Sequence, residues 1–148
     1  MNSFQITKKI RNVPGTNQFF VGVYSSDNMP HLDPPFCFIV NTQPSFKRGE
    51  HWCAFFVTKE NIEFFDSYGR TVLNPSLPVE FAEYTKKREC LCNNLFLEGI
   101  FSTTCGDFCI YYIVLRCLGY SYENILRSFS RNRIVNDNIV TNFVDLWT

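Results

Sequence analysis

The chain has 148 residues, 45% of them hydrophobic, with fourteen basic and fourteen acidic side chains. That is enough for one domain, residues 1–148, with a substantial core, and it excludes an intrinsically disordered chain. The charges cancel, so no global field draws the protein to nucleic acid or to a membrane.

Two basic clusters, Lys8-Lys9-Ile10-Arg11 and Lys86-Lys87-Arg88, read as solvated faces. No apolar run approaches the length of a membrane span, and the first residues lack the layout of a signal peptide. Seven cysteines, an odd number and several of them inside apolar runs, predict reduced thiols in an intracellular, reducing compartment. A zinc site is not expected: Cys90 and Cys92 are one residue apart, and both histidines lie far upstream.

In chain order, residues 3–11 predict a short helix, and the apolar stretch 19–24 follows it. A loop rich in Pro and Asp covers 25–35. Residues 36–40 and 52–58 read as buried strands by their β-branched and aromatic content, with a loop between them. Residues 59–61 predict a hairpin turn into a third strand, 62–66, which breaks at Ser67-Tyr68-Gly69. Residues 76–87 predict a helix with Pro78 in its first turn, and 95–97 a short strand. The apolar run 105–117 predicts a helix ended by Gly119. Ser121 is placed as the cap of a helix through Phe129, and Asn136 or Asp137 as the cap of a last helix to Trp147. Strands first and helices afterwards indicate an α+β fold: a central, mostly antiparallel sheet, a helix opening on Cys105, and further C-terminal helices.

Chemistry concentrates at Ser102-Thr103-Thr104-Cys105-Gly106-Asp107-Phe108-Cys109. A cysteine opening a helix sits where the macrodipole and unpaired backbone N–H groups favour an anion, and a thiolate is the nucleophile of cysteine hydrolases. Taken alone, Cys105 reads more readily as a small buried apolar residue. A hydrolase also needs a base beside the sulfur and a group to orient that base. His31 lies in a loop with no evident partner. His51 opens the strand before Trp52, and Asp66 ends the next strand. An antiparallel hairpin between them makes His51 and Asp66 cross-strand neighbours, within reach of an Nδ1–H···carboxylate bond. A surface histidine and a turn-forming acid are the ordinary alternatives.

The order His51-Trp52, Phe64-Phe65-Asp66-Ser67-Tyr68-Gly69, then Cys105-Gly106-Asp107-Phe108-Cys109 resembles the adenovirus-type cysteine proteases. More widely, it is similar to the fold group that includes proteases of ubiquitin-like modifiers. Phe20-Val21-Gly22-Val23-Tyr24, Phe38-Ile39-Val40-Asn41-Thr42 and Gly49-Glu50-His51-Trp52 extend the resemblance, which runs from about Phe19 to Cys117. It implies Cys105 as nucleophile, His51 as base and Asp66 as orienting acid, where the adenoviral members carry Glu. Trp52 would flank a groove for glycine-containing segments, although a core role for that ring is equally open. The backbone N–H of Cys105 would be one oxyanion donor.

The resemblance is incomplete. Where the family places a Gln that donates to the oxyanion, this chain has Glu98. The longer C-terminal portion of the adenoviral enzymes has no counterpart before Thr148, and Cys90 or Cys92 falls only in the general region of the cysteine that pairs with an activating peptide. The resemblance implies viral structural or capsid precursor proteins as substrates. It also implies an activator peptide and DNA as partners, no metal or organic cofactor, and the virion and infected-cell nucleus as locations. Composition gives no support to DNA. The rival readings are a protease of ubiquitin or a related modifier, and a degenerate binding module, for which Glu98 is the best argument.

Overall fold

The computed structural model describes residues 1–147. A five-stranded sheet, in the order β1 (Phe20–Tyr24), β2 (Phe36–Asn41), β3 (Trp52–Val57), β4 (Asn61–Phe65) and β5 (Glu89–Cys92), is covered by helices on both faces. Its strands follow the chain. The two central ladders, β2–β3 and β3–β4, are antiparallel, whereas β1–β2 and β4–β5 are parallel. The fold is thus α+β around a mixed sheet. Parallel neighbours cannot be joined by a tight hairpin, and the chain meets that need with the 25–35 loop and with a crossover through α2 (Val79–Tyr84).

Strand alternation divides the core in two. On one face Phe38, Phe55 and Phe64 pack with Val72, Leu77 and Phe81 of α2 and the chain leading to it. On the other, Ile39, Ala54, Phe56 and Phe65 meet α3 (Cys105–Cys117), whose residues Phe108 to Val114 are all buried. Apolar residues on every side make α3 a central helix rather than a surface one. α1 (Ser3–Arg11), α4 (Tyr122–Arg127) and α5 (Arg133–Asp145) pack around it. α3 is fixed to the sheet by charge as well: Arg116 forks onto Glu63 of β4 through Nε and Nη2, both at 2.8 Å, and Tyr112 donates its hydroxyl to the same carboxylate. No helix among the described residues is long and apolar enough to cross a membrane.

Several expected elements shift. The 76–87 helix shrinks to six residues, with Pro78 at its N-cap. Beyond Tyr84 the chain closes in i to i−3 turns, and the adjacent cations Lys86, Lys87 and Arg88 give a further α-turn no support. Strand β5 lay hidden in the polar run after that helix. Residues 95–97 form no ladder; instead the N–H groups of Leu97 and Glu98 both donate to Ser67 O. α5 begins earlier than expected, capped by Asn132, whose side chain accepts from the N–H groups of Ile134 and Val135. Asn136 is buried and braces Leu97 and Ser130, while Asp137 turns towards the segment before Cys105.

Candidate active site

The β3–β4 register pairs Ala54 with Phe65 and Phe55 with Phe64. Continued outward, it sets Cys53 opposite Asp66 and His51 opposite Tyr68. His51 and Asp66 are therefore diagonal neighbours on one face, a separation that only a long side chain spans. The far nitrogen of the ring closes it: His51 Nε2 lies 2.7 Å from Asp66 Oδ1. The expected bond through Nδ1 is replaced by this one, and Nδ1 is left on the other side of the ring. Tyr68 stacks on the imidazole with centroids 4.4 Å apart and planes 16° from parallel.

Asp66 is fully buried and richly held. Oδ1 also accepts from the Tyr68 N–H at 3.2 Å, and Oδ2 accepts from Arg70 Nε at 2.7 Å and from the Arg70 N–H at 3.2 Å. Its backbone is clamped by Asn93, which accepts from the Asp66 N–H and donates to its carbonyl. The turn that brings Arg70 back needs Gly69: its φ is +73°, and a Cβ there would lie 2.6 Å from the Leu95 backbone. Burial pushes the Asp66 carboxyl up, but the bonds from His51 and Arg70 outweigh it and hold the carboxyl below its ordinary range.

Cys105 opens α3, as the sequence predicts. Its N-cap, Thr104, makes no side-chain cap bond, because the hydroxyl goes to Asp137 Oδ1 at 2.9 Å. The first N–H groups of α3 therefore have no capping side chain. Burial disfavours a charged His51, yet Asp66 and Cys105 together overcome it and raise the imidazole to about 9. Cys105 thus lies within interaction reach of the ring that Asp66 holds from behind. His51, Trp52, Tyr68, Glu98, Cys105 and Gly106 share an open groove of about 730 Å³. Trp52 is half-buried: its ring packs against the core beneath and its Nε1 donates to the Met1 carbonyl at 3.0 Å, so it serves both core and groove.

Glu98 does not face solvent. It is fully buried, with Oε1 accepting from the Ser67 hydroxyl at 2.6 Å and Oε2 from the Thr104 N–H at 3.2 Å. Burial raises its carboxyl, against the pull of Ser67, His51 and Thr104. Asp137 assists by accepting from the Gly99 N–H through both oxygens at 3.3 Å. The segment leading to Cys105 is thus pinned at both ends.

Other expected residues lie elsewhere. His31 packs on the Tyr84 ring, 5.2 Å between centroids, and does not line the groove. Cys90 and Cys92 point to one side of β5, half-buried, with sulfurs 3.9 Å apart. The bond between them pushes Cys90 up and brings Cys92 down to about 7. Neither lines the groove, although Cys92 immediately precedes the Asn93 clamp. Among the described residues, donor atoms of His51, Cys53 and Asp66 lie within 4.8 Å of one another. Both Asp66 oxygens are committed to hydrogen bonds, and burial, followed by the Asp66 charge, pushes Cys53 far up as a neutral thiol. That cluster is packing behind the imidazole. The residues missed from sequence are Tyr68, Arg70 and Asn93. Continuing the hairpin register would have found Tyr68, whereas nothing local marks Asn93, 27 residues away from its partner.

No protein-family model matches the chain, and no curated protein matches it. Among solved structures, the chain is similar to the ASFV pS273R protease, with 22% identity over 70% of this chain and a TM-score of 0.45. The match covers 43% of that protein, so this chain spans less than half of its length. At that distance the reading of the site rests on the chain's own geometry.

Proposed function

We propose that the chain is a thiol endopeptidase of adenain type with a Cys105–His51–Asp66 triad. The observation that carries this reading is the His51–Asp66 bond, which leaves the other imidazole nitrogen free on a groove that Cys105, at an uncapped helix N-terminus, also lines. Asp66 fixes the proton on Nε2, leaving Nδ1 to exchange a proton with the sulfur. The Cys105 thiolate attacks the scissile carbonyl, and the oxyanion forms beside the backbone N–H of Cys105. Imidazolium Nδ1–H protonates the departing amine, leaving a thioester. His51 then draws a proton from water, which releases the acid and regenerates the thiol. The reaction requires no metal or organic cofactor.

The proposed substrates are viral or capsid precursor proteins, cleaved in extended segments with glycine near the bond, which a groove lined by Trp52 beside Cys105 would admit. A protease of ubiquitin-like modifiers would use the same groove, and cleavage of a modifier conjugate in place of glycine-containing peptides would favour it. Glu98 ties Thr104 to Ser67, a strut role compatible with catalysis, so its presence does not by itself favour a non-catalytic module.

A proteome-derived peptide library incubated with the reduced protein and with Cys105→Ala tests the proposal. New termini next to glycine in the first sample and none in the second are expected. No cleavage by the wild-type chain would overturn the enzymatic reading.

A further inference from the structure

The imidazole has two tasks that conflict. It must keep a proton to balance the Cys105 thiolate, and it must then give that proton to the leaving amine. A buried carboxylate with undivided charge serves the first task and hinders the second. Asp66 does not offer His51 an undivided charge. Its inner oxygen meets Nε2 at 2.7 Å, while its outer oxygen meets the Arg70 guanidinium, also at 2.7 Å. Asp66 is fully buried and Arg70 only 21% exposed, so water screens this pair weakly. Arg70 also lies over Tyr68, 5.2 Å from the ring centroid, and Tyr68 is the ring stacked on His51. The cation therefore reaches the imidazole by two routes, one through the carboxylate and one through the stack. It is itself aimed by Ser76, which accepts from Nη1 at 3.3 Å, while Nη2 is buried without a partner. A guanidinium with a buried, unsatisfied N–H costs stability.

We propose that Arg70 is a fourth, positioning member of the constellation. It claims the outer oxygen of Asp66, so that His51 faces a carboxylate of shared charge and is left free to release its proton. One feature separates this role from that of a plain clamp. The Asp66 carboxylate is also held by the backbone N–H groups of Tyr68 and of residue 70, which survive a side-chain change at Arg70. Removing the guanidinium should therefore change the charge that His51 senses more than the place of the carboxylate. The other titratable groups facing this pair are Tyr68, Glu98 and Cys105 around the imidazole, with Cys53, Cys92 and Cys109 nearby; all of them remain in the single Arg70 variants.

The inference rests on His51 being the base, but its test needs no turnover. The chain has two histidines, so the full-length reduced protein has two imidazole Hε1 signals, and His31→Gln assigns them. The midpoint of His51 is followed by NMR in wild type, Arg70→Lys and Arg70→Gln. Losing the cation should raise the midpoint in Arg70→Gln by about one pH unit, a tenfold gain in proton affinity, with Arg70→Lys staying near wild type. The same upward shift should persist in a Cys105→Ala background, because its origin is Asp66. An unchanged midpoint with only a lowered Tm would make Arg70 a structural residue and overturn the proposal. A midpoint falling towards 6.5 would make it a clamp on orientation, and would overturn it too. Absence of peptidase activity would refute the functional reading separately, leaving the titration to decide on Arg70.

Discussion

Replacing Glu98 probes the segment that leads to Cys105. In Glu98→Ala two donors lose their acceptor, the buried Ser67 hydroxyl and the Thr104 N–H. A buried donor left unpaired costs about 1–3 kcal/mol. The Thr104 N–H keeps part of its bonding through Ser102 Oγ at 3.2 Å, so the sum is about 2–4 kcal/mol. For a domain of this size that corresponds to roughly 5–15 °C in Tm. Glu98→Gln can place its amide oxygen on Thr104 and its NH2 on Ser67, and it should cost about 1 kcal/mol or less.

The pH dependence has a definite sign. The folded carboxyl is raised above its ordinary value, so its contribution is complete below that value and is lost as pH rises through the folded one. The Gln variant has no such loss, and its Tm should gain on wild type between mildly acidic and neutral pH. Thermal unfolding of the three proteins at several pH values measures both effects. An Ala variant within about 0.5 kcal/mol of wild type, or a Gln-minus-wild-type difference flat with pH, would refute the reasoning. The same proteins also test whether Glu98, when protonated, donates to the oxyanion. In that case kcat/KM of Glu98→Gln extends further towards alkaline pH, whereas superimposed profiles confine Glu98 to its strut role.

Two further outcomes are expected. Glu63→Ala leaves the partly buried Arg116, packed on Phe56, without its carboxylate and should cost about 3 kcal/mol in urea unfolding, with no effect on the groove. Limited alkylation at neutral pH, mapped by mass spectrometry, should modify Cys92 before Cys90, because their shared bond lowers one thiol and raises the other; the reverse order would refute this assignment. Full activity of the isolated, reduced protein would rule out the need for a peptide activator.

The helix at Cys105 was legible to the residue because a small polar run ends where an unbroken apolar run begins. The 59–61 turn likewise fixed the hairpin, and with it the meeting of His51 and Asp66. What the sequence hid depended on distance along the chain. β5 is polar at one end and only four residues long, so it becomes a strand by pairing with β4 rather than by its own pattern. The parallel outer ladders follow from where the 25–35 loop and α2 return the chain, which periodicity does not encode. Asn93 and Asp137 reach the site across 27 and 33 residues. The choice of Nε2 over Nδ1 depended on a diagonal register, which was implicit in the hairpin but needs the turn placed to the residue.

The triad itself is tested most directly by covalent trapping. The reduced protein is treated with an electrophilic peptide ending in glycine, and the adduct is mapped by mass spectrometry alongside residual hydrolysis of the matching peptide. The account predicts one adduct, on Cys105, formed in step with loss of activity. It should be absent in Cys105→Ala, nearly absent in His51→Ala, and slowed to a lesser degree in Asp66→Ala, which keeps the base but not its support. Hydrolysis at the wild-type rate in Cys105→Ala, or an adduct on another cysteine that alone abolishes activity, would contradict it.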